Sequence, residues 1–139
     1  MPIEVKDLIS VAQSNKESDS EALRRTAVHS SYYAAYNFFL EYAQKNWSYN
    51  PKDDVYDFND PTRKIHGSHE KLSQFIRKHG IDNSDPNIVT LGDHLRNYHG
   101  LRCSADYHLD FEMVVAKSKH HVNHCVRDLN KFKATVPAE

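Results

Sequence analysis

Glycine and proline are scarce in this chain, four and five among 139 residues, so long helices meet few interruptions. Cysteine is scarcer still. Cys103 and Cys125 make no disulfide framework and suit a reducing compartment. Net charge is almost absent, at −1. That leaves no global electrostatic argument for nucleic acid; any RNA contact needs a local basic patch. No apolar run approaches the roughly 20 residues that span a bilayer. The opening Met1-Pro2-Ile3-Glu4 leads straight into mixed charge, unlike a signal peptide. These absences predict a cytoplasmic protein with no membrane partner.

The rest of the composition is that of a globular protein: 39% hydrophobic and 27% charged. The length fits one domain over residues 1–139. Ten histidines should make the net charge climb between about pH 7 and 5.

Helical periodicity recurs in five segments, which predicts an all-α bundle of four or five helices. Val5, Leu8, Ile9 and Ala12 mark a short helix over about 3–14. Ser18, three residues before Glu21, reads as a capping box opening a second helix that runs to about 45. Its apolar arc is wide, as in a central helix with neighbours on several sides. Residues 46–65 break the pattern as a long loop, with Trp47, Tyr49, Tyr56 and Phe58 beside Lys52, Arg63 and Lys64. Aromatics beside cations can stack on bases, but four Asp in the same loop would repel phosphate, so the aromatics are expected to pin the loop down instead.

A third helix is expected over about 67–79 with Gly80 as its stop. Asp85-Pro86 opens a fourth, whose stripe is Ile88, Leu91, Leu95 and Tyr98. A fifth starts near Asp110 and keeps a 3–4 spacing from Phe111 through Val122, Cys125 and Leu129 to Val136, with a tail at about 134–139.

His120 and His124 stand four apart, a spacing that can chelate metal. They lie well round the helix from the Val122 line, with Lys117, Arg127 and Lys131 about them, so a solvated face is expected and no metal or other cofactor. His66 and His69 are a weaker pair.

Arg102 stands out because it continues the apolar stripe of the fourth helix, where an unpaired guanidinium is costly. His108 follows six residues later. On a continuous helix the two point about 120° apart. They converge only if the helix ends between them or two copies of the chain meet. The plainer reading pairs Arg102 with Asp106 as a structural ion pair.

The run Arg24-Arg25-Thr26-Ala27-Val28-His29-Ser30-Ser31-Tyr32-Tyr33-Ala34-Ala35-Tyr36 resembles the second-helix signature of HEPN domains. The stretch from Leu95-Arg96 to Ala105-Asp106-Tyr107-His108 resembles the Ala-Asp-Tyr segment of the same group. The resemblance spans roughly residues 20–135. It implies a helical bundle that pairs through its motif helices into a homodimer, and a metal-independent endoribonuclease of the toxin or phage-defence type. The family hallmark, Arg then four to six residues then His, is matched by Arg102 and His108. Asp106 and Tyr107 would be orienting neighbours, with Ser31 and Tyr32 as possible phosphate contacts. Cleavage by 2′-hydroxyl attack leaves a 2′,3′-cyclic phosphate and uses a His for proton transfer and an Arg against phosphoryl charge. A toxin of this kind would have an antitoxin as a partner; the alternative the resemblance also implies is a non-catalytic module that binds RNA, a nucleotide, or a partner protein such as a nucleotidyltransferase.

Overall fold

The computed structural model describes residues 3–57 and 59–135. Phe58, Val136 and the tail beyond it lie outside the described residues. Five helices follow in order: α1 Val5–Asn15, α2 Glu21–Asn46, α3 Ser68–Asp82, α4 Pro86–Tyr107 and α5 Val115–Thr135. The described residues contain no strand, only an isolated bridge between Tyr56 and Lys64. None of their helices is long and apolar enough to cross a membrane. The all-α expectation holds. Two compact units emerge, one made of residues up to Phe38 with those from Tyr98 on, the other of residues 39–97.

In the first unit α1 packs on α5, and Ala12, Ala27 and Val122 meet with Val126 against them. Val28, Ala105 and Met113 form a second cluster with Leu101 and Phe111. The capping box at Ser18 does not form. Ser20 caps α2 instead, its hydroxyl accepting from Leu23 N–H at 3.3 Å. The Glu21 carboxylate turns away to accept from Met113 N–H at 2.8 Å and from Arg25. Those two bonds, the Met113 amide first, hold its carboxyl below the usual carboxylate range. Helix α5 also begins later than the spacing suggests. Phe111 N–H bonds back to His108 C=O at 3.1 Å in a turn, and Val114 C=O accepts the first helical bonds.

In the second unit the loop after α2 is pinned by its own aromatics. Trp47 stacks on His79 at 4.4 Å, and Tyr49, buried, meets Phe75 at 4.5 Å. Arg63 is held by Asp57 and Glu70, and Lys64 by Asp54. The loop's carboxylates thus occupy two of the cations that would have met phosphate. Gly80 does not stop α3, which continues to Asp82. It is there because α4 comes close: a Cβ would stand 2.6 Å from Val89 N. Asp85 caps α4 as expected, accepting from Asn87 N–H at 3.1 Å, with Pro86 first in the helix.

His121 lies in the buried face of α5, 3% exposed, with Cys125 Sγ 3.6 Å from its Nε2. Burial first, and the nearby His120 and His124 charges after it, bring its pKa down from 6.5 to about 4 against a hydrogen bond with Val28. The unfolded chain therefore takes up a proton below pH 6.5 that the native imidazole refuses until about pH 4. Stability contributed at neutral pH is lost as pH falls through that window, by about 3 kcal/mol in all. Urea unfolding at pH 7 and pH 4.5 should show the decline, and His121→Gln should flatten it. An equally steep decline in the variant would assign it to other groups.

Candidate functional site

Helices α2 and α4 bring together the residues that carry chemistry in the first unit. The wide apolar arc of α2 turns Tyr32 inward, 2% exposed, with Tyr33 half-buried beside it. Arg102 projects from α4 between them, its guanidinium carbon 5.5 Å from the Tyr32 ring and 5.4 Å from the Tyr33 ring. Tyr107, 71% exposed, adds a third ring at 5.8 Å.

The Arg102 side chain is only 5% exposed. Nη1 donates to Asp106 Oδ2 at 3.3 Å. Nη2 lies 3.2 Å from His99 Nδ1. A guanidinium only donates, so in this contact Nδ1 is the acceptor and the ring's N–H lies at Nε2. Arg102 Nε is buried without a hydrogen-bond partner. Burial works against the Arg102 charge, but the bond to Asp106 and its other neighbours outweigh it, and the pKa ends above the ordinary value. Burial also pushes the Tyr32 hydroxyl well up; it is a neutral phenol at physiological pH.

Asp106 has a second partner. His29 Nδ1, from α2, lies 2.8 Å from the same Oδ2. The carboxylate accepts the Nδ1 proton, which fixes the tautomer and leaves Nε2 as the basic lone pair. Among the described residues Nε2 has no hydrogen bond; the side chain is 46% exposed, and its ring rests 4.7 Å from that of Tyr33. The result is a carboxylate-held imidazole beside a buried guanidinium, with tyrosine rings around both. Such a set can take a proton from a hydroxyl at His29. Cys103 adjoins it, with Sγ 3.7 Å from His99 Nε2.

Of the residues expected from the sequence, Arg102, Asp106, Tyr107 and Tyr32 converge here. His108 does not join them within the chain. Helix α4 runs unbroken through Tyr107, so no helix end falls between Arg102 and His108 to swing them together. His108 is exposed in the turn that follows; its backbone is bound, N–H to Ser104 C=O at 3.1 Å and C=O to Arg25. Ser31 points elsewhere: it is 1% exposed, donates to Val28 C=O at 3.1 Å and hydrogen-bonds Cys125 in the core. The plain expectation of an Arg102–Asp106 ion pair is met, at 3.3 Å.

His29 and His99 are the members that sequence reasoning passed over. His99 was within reach, three residues before Arg102 on one helix face. His29 lies 77 residues from Asp106, and no local spacing connects them.

The His120 and His124 rings meet at 4.0 Å, tilted by 41°, on the outer side of α5. Among the described residues, no three His, Cys, Asp or Glu side chains gather as a metal site would require. No family model, no curated protein and no solved structure matches this chain.

Proposed function

We propose that this chain is a metal-independent endoribonuclease of the HEPN type, acting as a homodimer and cutting RNA by attack of the 2′-hydroxyl. The observation that carries the reading is Arg102, a buried, incompletely satisfied guanidinium whose carboxylate partner also holds an open imidazole. Arg102 would oppose charge growing on the phosphoryl oxygens, and a histidine would move the 2′-hydroxyl proton. His108 of the second copy and His29 of the same chain are the two candidates for that proton. Tyr107 and Leu109, 71% and 82% exposed, flank His108 and supply the apolar surface a two-fold contact needs, one patch against its own copy. The biological setting would be that of a toxin or phage-defence protein, with an antitoxin as partner.

A second reading has its own support. Both terminal nitrogens of Arg102 are engaged, and so deep a guanidinium serves to hold a binding surface as readily as to meet a phosphate. On that reading the chain is a non-catalytic module for RNA, a nucleotide or a partner such as a nucleotidyltransferase.

The test is incubation of mixed RNA with pure protein in EDTA, with sedimentation run at the same micromolar concentration. The expected result is a dimer that leaves 2′,3′-cyclic phosphate ends. A dimer or monomer that binds RNA without cutting would move the assignment to the second reading.

A further inference from the structure

Cations and carboxylates are nearly equal in number along the chain, 18 against 19, yet they are not evenly spread. Helix α5 holds Lys117, Lys119, Arg127, Lys131 and Lys133 against one carboxylate, Asp128. That carboxylate is buried and takes the Tyr98 hydroxyl proton as a hydrogen bond, so it offers the surface no negative charge to compensate.

The arrangement along the helix is regular. At 3.6 residues per turn, Lys117, His120, His124, Arg127 and Lys131 fall within an arc of about 80°, one basic group every 4.5–6 Å of rise, over about 21 Å. Four of the five are exposed and His124 is half-buried. Exposed cations elsewhere are largely neutralised, as in Lys6–Glu4, Lys45–Glu41, Lys78–Asp82 and Lys119–Glu17. Lys117, Arg127 and Lys131 have no carboxylate partner among the described residues. Lys117 lies over the Phe111 ring at 4.2 Å, and Arg127 contacts His124 at 3.2 Å.

Beside the stripe runs an open groove of about 650 Å³, lined by Gln13, Asn123 and Asn130 together with Val126, Arg127 and Lys131. Lys16 closes one side, its ammonium bonded to Gln13 and Asn123 side-chain oxygens at 2.6 and 2.8 Å. Those bonds engage the Gln13 and Asn123 oxygens and leave the amide N–H groups of both, with the Asn130 amide, without a partner among the described residues. Watson–Crick base edges, which only unpaired strands leave open, match them.

We infer that the outer face of α5 is a docking track for single-stranded RNA, its phosphates along Lys117, Arg127 and Lys131 and its bases toward the Gln13–Asn123–Asn130 groove. Charge complementarity selects a polyanion, and the amide-lined groove selects a strand with free bases. The choice of RNA over DNA rests on the proposed function; the track itself does not depend on cleavage.

The test uses a fluorescent 2′-O-methyl RNA 20-mer, which cannot be cut by its own 2′-oxygen, so docking and catalysis fail separately. Anisotropy is read across a salt series for the parent, for Lys117→Gln/Arg127→Gln/Lys131→Gln, and for a control triple, Lys6→Gln/Lys45→Gln/Lys78→Gln. The α5 triple should bind at least tenfold more weakly. Its salt dependence should fall by about 2 in log–log slope, the worth of three phosphate contacts on a single strand, while the control triple stays near the parent. Equal weakening by both triples, or no binding by the parent, would overturn the track. Displacement by poly-glutamate as effective as by unlabelled RNA would overturn it in favour of an acidic protein partner. Tighter binding of a DNA 20-mer of the same sequence, run alongside, would overturn the choice of RNA.

Discussion

Mixed RNA should be cut at least 100-fold more slowly by His108→Ala than by the parent, both in EDTA, with helicity by circular dichroism unchanged. A general acid–base group contributes a factor of about 10²–10⁴. His108 carries no core packing: its side chain is exposed, and its backbone bonds survive the substitution. The same assay on His29→Ala separates two versions of the site. Loss with His108→Ala alone would put the proton on a histidine delivered by the second copy. Loss with His29→Ala alone would put it on the Asp106-held imidazole of α2, and the Arg102–His108 pairing would be sunk. Loss with both fits an acid and a base acting on opposite sides of the bond. Arg102→Ala is a poor probe, since it strips the cation from between Tyr32 and Tyr33 and leaves Asp106 short of a partner.

Among substitutions, the largest stability effect is expected from a single added methyl. In a helix interior Gly→Ala ordinarily stabilises by about 1 kcal/mol. At Gly92 the sign should reverse. A Cβ there would stand 2.8 Å from Ser73 O and 2.8 Å from Arg77 N, both backbone atoms of α3. Neither can rotate away, so α3 and α4 must separate along this contact. Overpacking of that kind costs about 1–3 kcal/mol beyond the forgone gain, for a net loss of about 3 kcal/mol against the ordinary case. Gly100, on the same helix, has nothing within 4 Å of its Cβ position and should gain about 0.5–1 kcal/mol as Ala. Urea midpoints of the two variants should move in opposite directions. A stabilised Gly92→Ala would mean that the two helices are not so close.

That pair shows where sequence reading reaches and where it stops. The five helices are legible because apolar spacing of three and four survives in each, and Asp85-Pro86 marks a helix start by purely local chemistry. Gly80 misleads for the converse reason. Glycine just past a helical stripe is the usual sign of a C-terminal stop, but close approach of another backbone demands the same residue and depends on a segment elsewhere in the chain. The start of α5 is blurred because Phe111 and Val114 happen to continue the helical spacing through a turn. In the candidate site, Arg102 is conspicuous as a charge on an apolar stripe, and Asp106 follows at helical distance. His29 is hidden because its partnership exists only once α2 and α4 pack.

The Arg25 guanidinium bonds the carbonyls of Ser104 at 3.1 Å, Ala105 at 3.0 Å and His108 at 3.2 Å, and that of Phe111 as well. It thereby ties the end of α4 and the turn that follows it to one side chain from α2. One turn further along α2, His29 grips Asp106. The turn bearing His108 is thus riveted to the helix bearing His29 at two successive points, and the two histidines share one frame of reference. If His29 moves the proton when RNA is cut, its imidazole need not be drawn to Arg102 on binding, because Asp106 already holds both and that ordering entropy is met by folding.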